Sequence, residues 1–293
     1  MSTLLLHSVS YAGLWGQAAL SIEQFVDKAA ELGYGGVMLM AKRPHVSPLD
    51  FGSEERLALR RRMESRKLAA PVLAGYCNLT ADLDHAEMPH REIWVGYLLE
   101  LAKLVRDLGG DTVRVFTGYQ HPAADYYRQF QYIAGTLKEA ARRTADVGVL
   151  LAVQNHHDVA GGYEAFHDLL LAIAEPNCQA AFDAWAPALQ GADLVTAARK
   201  LAPKTVHTTI ADYQLRPRYK YVPSLVNYEA GMPYVQAVPM GDGFIDYRAF
   251  LTTLREGGFT GSVAYEMCSP LQHGGDIATL DRYARRFLEY MAD

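Results

Sequence analysis

One phrase recurs along the chain and constrains its fold more than any other feature: an amphipathic helix, a glycine-rich turn and a short apolar run. It occurs as AAELGYGGVMLM (29–40), VRDLGGDTVRVF (105–116), TADVGVLLAVQ (144–154) and LREGGFTGSVAYE (254–266). Glycine just past a helix accepts a positive φ and ends the helix, and the apolar run that follows is typical of the next strand. Helices and strands in alternation predict βα units around a parallel sheet.

Eight runs qualify as strands of that sheet. They are Leu4–Ser8, Gly36–Met40, Pro71–Tyr76, Thr112–Thr117, Leu150–His156, Gln179–Trp185, Thr205–Ala211 and Ser262–Met267. Eight strands with no polar linker between halves favour a single-domain α/β fold over residues 1–293, a (β/α)₈ TIM barrel. A doubly wound sheet of six or seven strands fits the count about as well, so the number of strands does not decide between them.

The longest segment without a predicted helix or strand is Asp212–Ile245, between the seventh and eighth strands. It contains Arg216, Arg218, several tyrosines and the turn-like Met240–Gly243. Loops this long are usually lids or binding loops, and this one follows a strand's carboxyl end, where a barrel binds its substrate. We therefore predict that Arg216 and Arg218 contact a phosphate or carboxylate of the substrate; a solvated basic loop is the alternative.

Charge and cysteine content limit the binding partners and the cellular compartment that we expect. Lys+Arg 28 against Asp+Glu 33 gives a net charge of −5 with no basic block, which disfavours nucleic-acid binding. Three widely separated cysteines, Cys77, Cys178 and Cys268, are typical of reduced thiols. No apolar run approaches the roughly 20 residues of a membrane helix, and the N-terminus does not resemble a signal peptide. We expect a cytoplasmic protein without a membrane partner; assembly into a homo-oligomer stays open.

The candidate site lies where apolar strands end in polar side chains, as in LLAVQNHHDVAG at 150–161. Side chains alternate along a strand, so Gln154 and His156 face the same way. Buried acids need a cation, a hydrogen-bond network or a ligand, and carboxylate, amide and imidazole groups together suit Mn²⁺, Mg²⁺ or Co²⁺. The predicted metal ligands are Gln154, Asp183, His207 and Glu266. The predicted pocket residues near other strand ends are His7, His45, Arg114 and Trp185.

These motifs resemble the xylose-isomerase-like TIM barrels, the sugar phosphate isomerase/epimerase superfamily that includes inosose dehydratases and ketose 3-epimerases. The resemblance covers nearly the whole chain and is carried by LLAVQNHHD, AAFDAW, VHTTIADY, MGDGFIDYRAFLTTLREGGFTG and SVAYEM. It implies a divalent metal held by Glu, Asp, His and Glu from the fifth to eighth strands. Asp183 and Glu266 match this pattern.

Two positions depart from the family pattern. Gln154 stands where the first glutamate is expected, and the family's histidine position, three residues before Asp212, is Thr209. His207, two residues earlier and facing the same way, is the substitute ligand. An amide accepts no proton at neutral pH, so the resemblance implies one-base chemistry, with Glu266 or His156 abstracting a proton next to a carbonyl through an enediolate.

We therefore predict a metal-assisted isomerase or lyase whose partner is a small carbohydrate: a sugar, keto-sugar or cyclitol. Arg114 serves either as an ion-pair partner of Asp183 or Glu266 or as a substrate anchor. The alternative function is a sugar-binding barrel with a degenerate or metal-free site. Repair endonuclease activity, found on the same barrel, is disfavoured, because Ala186 occupies the place of a ligand histidine after Asp183.

Overall fold

The computed structural model describes residues 2–81, 83–85 and 87–292, and within them eight parallel strands close into a barrel. The barrel strands are β1 Leu4–His7, β2 Gly36–Met40, β3 Ala69–Ala74, β4 Thr112–Val115, β5 Leu150–Gln154, β6 Cys178–Ala181, β7 Thr205–Ile210 and β10 Ser262–Tyr265. They pair in chain order, and β10 closes the ring on β1 through Leu4↔Val263 and Leu6↔Tyr265. The predicted TIM barrel is confirmed, and the doubly wound alternative is wrong because the sheet has no open edge.

Helices follow the strands and cover the outside of the barrel. They are α1 Ile22–Leu32, α2 Ser53–Ser65, α3 His90–Asp107, α4 Tyr126–Ala145, α5 Tyr163–Ile173, α6 Trp185–Leu189, α7 Leu194–Leu201, α8 Tyr247–Glu256 and α9 Ile277–Ala292. The predicted glycine stops are confirmed: Gly33, Gly109, Gly148 and Gly258 follow α1, α3, α4 and α8 with φ of 93°, 89°, 69° and 98°. Side chains with a Cβ rarely adopt these angles, which explains glycine at each helix-to-strand turn.

The large apolar core lies between strands and helices, and a smaller one fills the barrel. Leu5 and Ala264 belong to the inner cluster. His7 at the end of β1 and Glu266 just after β10 come two residues later, so they point the same way, one layer nearer the carboxyl ends. The barrel interior therefore changes from apolar to polar toward that end. None of the helices described is long and apolar enough to span a membrane.

The segment 212–245 is not the irregular loop that the sequence predicted. Its largest part is an antiparallel hairpin of β8 Asp212–Val222 and β9 Asn227–Val238. Much of the hairpin is exposed, so its strands lack the apolar alternation that marks a half-buried strand. Pro217 also lies at a break in register between Arg216 and Arg218, as expected for a residue without an N–H. For these two reasons the sequence pattern did not predict β8 and β9.

The base of the hairpin is fixed by Asp212. Its carboxylate accepts hydrogen bonds from the backbone N–H groups of Gly241 at 2.9 Å and Gly243 at 3.0 Å. A Cβ at position 243 would overlap this carboxylate, so only glycine allows the approach. The predicted turn at 240–243 thus tethers the hairpin to the barrel, and β8 and β9 leave the barrel beside its carboxyl ends.

Candidate functional site

A cavity of about 590 Å³ opens at the carboxyl ends of the barrel strands. Aromatic rings form much of its wall: Trp15, Tyr76, Phe116, Tyr119, Trp185, Tyr213 and Tyr234. Five residues singled out from the sequence also line it: Arg114, Gln154, His156, Trp185 and Glu266. Tyr213 and Tyr234 come from β8 and β9, so the base of the hairpin forms part of the cavity wall.

Glu266 follows β10 and is held from two sides. Oε2 lies 2.9 Å from Nδ1 of His7, and Oε1 accepts a hydrogen bond from Sγ of Cys268 at 3.2 Å. Burial would raise the pKa of Glu266, but the contact with His7 and the positive charge of Arg114 outweigh it and lower this pKa to about 2. Burial also lowers the pKa of His7. A neutral His7 that donates its Nδ1–H to an ionised Glu266 is consistent with the lowered pKa of each residue.

Arg114 faces Glu266 from β4, the strand directly across the barrel from β10. The residue is 2 % exposed, donates one hydrogen bond to the carbonyl of Gly75, and lies 4.0 Å from the ring centre of Phe116. Neither Asp183 nor Glu266 is ion-paired with it in the described residues. Of the two roles predicted for Arg114, the structural ion pair is therefore wrong, and the substrate anchor stays a prediction. A permanent cation remains in the cavity wall.

His156 follows β5 and packs against Phe116 and Trp185, with ring centres 4.8 and 5.5 Å away. The backbone N–H of His157 donates to its Nδ1 at 2.8 Å. Burial lowers the pKa of His156 to about 4, so the ring is neutral at pH 7. With Nδ1 acting as an acceptor, the proton of the neutral ring is on Nε2. His156 therefore carries a hydrogen-bond donor at that nitrogen.

Both carboxylate oxygens of Asp183, which follows β6, accept hydrogen bonds from other residues of the protein. Oδ1 accepts the backbone N–H of Thr209 at 2.7 Å, and Oδ2 accepts from the side-chain amide of Gln154. Burial raises the pKa of Asp183 to about 7, although the Thr209 N–H opposes the rise. Asn155 adds two hydrogen bonds to the backbone of the same residue. The carboxyl is thus a buried acceptor between β5 and β7.

The predicted metal ligands do not fit a divalent cation. Gln154 turns its amide N–H₂ toward Asp183, and the oxygens of Glu266 are engaged by His7 and Cys268. His207 bonds Ser262 through Nδ1, and burial lowers its pKa to about 3. Gln154 Oε1 and His207 Nε2 are buried without a partner in the described chain, but neither adds a negative charge, which leaves Asp183 and Glu266 as the only anionic groups of the four. No three described His, Cys, Asp or Glu side chains come close enough to share an ion.

Four predicted substrate residues lie outside the cavity lining: His7, which bonds Glu266, and His45, Arg216 and Arg218. The ring nitrogens of His45 lie 3.0 Å from Oγ of Ser8 and 3.2 Å from the carbonyl of Leu20. Arg216 donates to Gln236 across the hairpin at 2.9 Å, and Arg218 is exposed on β8. His45 therefore has a hydrogen-bond partner at each ring nitrogen. Arg216 links the two strands of the hairpin, and Arg218 lies on its exposed surface.

The cavity is also lined by residues that the sequence did not single out for the site: Lys42, Tyr76, Tyr213, Tyr234 and Cys268. Lys42 and Tyr76 come two residues after β2 and β3, at the same kind of strand end as His156 after β5. That position was the available signal, but lysine and tyrosine are not among the usual ligands of Mn²⁺ or Mg²⁺. Tyr213 and Tyr234 lie in the 212–245 segment that the sequence predicted to be a lid or binding loop, but the sequence did not single them out, because only the folded ribbon brings β9 back to the barrel.

Comparison with known proteins agrees with the barrel fold. A model of the xylose isomerase-like TIM barrel family matches residues 26–290. A solved L-ribulose 3-epimerase is 17% identical, with 100% of this chain and 94% of that chain covered at a TM-score of 0.75. A D-psicose 3-epimerase from Clostridium cellulolyticum H10, solved with D-tagatose, is 15% identical, with 98% and 97% covered and a TM-score of 0.77.

A further similar structure is the probable 3-DHS dehydratase AsbF of Bacillus anthracis, 15% identical, with 100% and 99% covered and a TM-score of 0.73. No curated protein matches the chain significantly.

Proposed function

Because the chain belongs to the xylose isomerase-like TIM barrel family, we propose that it abstracts a proton next to the carbonyl of a sugar, keto-sugar or cyclitol. The reaction is an isomerisation or an elimination through an enediolate. One observation carries the proposal: Glu266, His156 and Arg114, a carboxylate, a neutral donor and a permanent cation, line the same cavity. Solved relatives named as sugar 3-epimerases and a dehydratase support this reaction class.

Glu266 is the base in this proposal. Its side chain is 17% exposed and ionised, and His7 orients it at 2.9 Å. The carboxylate takes the proton from carbon, and the electron pair of the broken C–H bond moves onto the carbonyl oxygen. In an isomerisation, the hydroxyl group on the deprotonated carbon gives its proton to the former carbonyl oxygen, and the protonated Glu266 returns its proton to the former carbonyl carbon. In an elimination, it protonates the departing hydroxyl group, which leaves as water.

His156 and Arg114 stabilise the enediolate oxygen. The sequence left His156 open as an alternative base. Its Nδ1 accepts the N–H of His157 and its Nε2 carries the proton, so the neutral ring can donate a hydrogen bond to the enediolate but has no free nitrogen to take up a proton. Arg114 supplies the positive charge for which the sequence analysis expected a metal. Donors and cations fixed in a dry cavity contribute about 3 kcal/mol each to such transition states.

The test is hydrogen exchange with solvent. We expect the wild type to exchange deuterium from D₂O into the carbon next to the carbonyl of at least one member of a panel of ketoses, keto-sugars and inososes, followed by NMR. Glu266→Gln should lower the exchange rate by about 10³-fold, within the range for a lost general base. Glu256→Gln, on the exposed end of α8, is the matched control and should exchange like the wild type.

His156→Phe keeps the ring contacts but removes the donor, and we expect a loss of about 10²-fold. Exchange that survives Glu266→Gln would remove Glu266 from the role of base. If the wild type exchanges no member of the panel, the sugar-binding alternative replaces the enzyme.

A further inference from the structure

Two cations share the cavity wall, and no acid among the described residues is paired with either. The ammonium of Lys42, after β2, lies 4.1 Å from the ring centre of Tyr76 and has no ion pair or hydrogen bond in the described part of the chain. Arg114, two strands away on β4, lies 5.1 Å from the same ring. The two positive charges repel, and burial together with Arg114 lowers the pKa of Lys42. Like charges placed together in a partly buried wall need a compensating anion.

The acids near the cavity contact neither cation, and the one charged acid in its described lining, Glu266, leaves one positive charge uncompensated. Glu266 is held on the opposite side by His7 and Cys268. Asp183 is held by Gln154 and Thr209, and burial keeps its pKa near 7. The structure thus assigns the compensating charge to the ligand: we infer that the substrate carries one carboxylate, bound between Lys42 and Arg114. This inference rests on the proposed function for the rest of the ligand, but its test does not require turnover.

The charge balance favours a carboxylate over a phosphate. Lys42, Arg114 and Glu266 are the only formally charged residues in the described cavity lining, and together they give a charge of +1. One carboxylate makes the occupied cavity neutral, whereas a phosphate dianion would leave an excess negative charge facing Glu266. The aromatic rings around the rest of the wall suit the apolar face of a sugar or cyclitol ring. A carboxylate-bearing ring, such as a uronate or a keto-cyclitol acid, satisfies both requirements.

A carboxylate bound at Lys42 and Arg114 would also change the basicity of Glu266. The low pKa of Glu266 depends partly on the positive charge of Arg114. A bound carboxylate would offset that charge and make Glu266 more basic while the substrate is present. The charge of the substrate thus affects the strength of the proposed base.

The test is a set of matched titrations by calorimetry. The probes are D-glucuronate, D-glucose and D-glucose 6-phosphate, together with benzoate and benzamide as a pair without sugar geometry. In the wild type we expect at least one carboxylate to bind about tenfold more tightly than its neutral counterpart, as for a charge-assisted hydrogen bond. Lys42→Met should remove this preference, Lys42→Arg should keep it, and Lys200→Met, an exposed control on α7, should not change it.

Glu266→Gln distinguishes this inference from the proposed function. The variant lacks the proposed base, yet it should bind the carboxylate more tightly than the wild type because a repelling charge is gone. Equal affinity for both members of each pair, or a preference that survives Lys42→Met, would overturn the carboxylate subsite even if exchange is observed. Tighter binding of the 6-phosphate than of the uronate would overturn the choice of carboxylate.

Discussion

Replacing Asp183 by Asn tests the electrostatics at the centre of the barrel. Asp183 is buried and bonded to Thr209 and Gln154, and burial raises its pKa from the ordinary 3.8 to about 7. Between those two pH values the unfolded chain releases the proton while the folded chain retains it. The unfolded state then binds fewer protons, so the stability of the wild type falls as pH rises across this window.

The size of the effect follows from the two pKa values. A difference of about 3 pH units at ~1.36 kcal/mol per unit gives about 4 kcal/mol at pH 8 and none below pH 4. Asp183→Asn removes the titration. Its amide can accept the Thr209 N–H and donate to Oε1 of Gln154, an atom that lacks a partner among the described residues. We therefore expect the variant to gain up to about 4 kcal/mol over the wild type between pH 4 and pH 8.

The assay is urea unfolding followed by circular dichroism at several pH values between 4 and 8. Asp193→Asn is a control of opposite sign, because the hydrogen bonds of Asp193 to Thr196 and Val195 lower its pKa. The lowered pKa places that titration below pH 4, so the difference in stability between this variant and the wild type should stay constant from pH 4 to pH 8. A difference between Asp183→Asn and the wild type that does not vary with pH would refute the raised pKa. If Asp183→Asn is less stable than the wild type at pH 8 and a chelator removes this difference, a cation is bound to the Asp183 carboxylate of the wild type.

Two further predictions follow. Extensive dialysis against EDTA should leave both the exchange activity and the melting temperature unchanged, since Gln154, Asp183, His207 and Glu266 do not fit a divalent ion; loss of activity restored by Mn²⁺ would contradict this. Gly243→Ala should destabilise the protein by about 1–3 kcal/mol, because the new Cβ displaces the Asp212 carboxylate that tethers the hairpin. Gly16→Ala, whose glycine has open space but a positive φ of 84°, is the comparison that separates backbone strain from the clash.

The fold was largely predictable because its signals are local. A glycine such as Gly33 or Gly258 ends a helix through its own φ, and the apolar run after it is buried on both faces wherever the strand lies. Closure of the barrel was different, because it depends on β10 meeting β1 across nearly the whole chain. The hairpin was missed for a related reason: β8 and β9 are stabilised mainly by each other's backbone, and exposed strands have little apolar pattern.

By itself, the sequence determined which polar side chains stand at the carboxyl ends of strands, since alternation along β5 and β10 depends only on neighbouring residues. It therefore placed Glu266 and His156 at the rim. Only the tertiary structure decided their partners and protonation. The bond of Glu266 to His7 spans 259 residues, the proton of His156 follows from one backbone contact, and Lys42 becomes part of the cavity only when β2 and β4 are neighbours of β3. Burial and charge are sums over the surrounding atoms, and folding sets those surroundings.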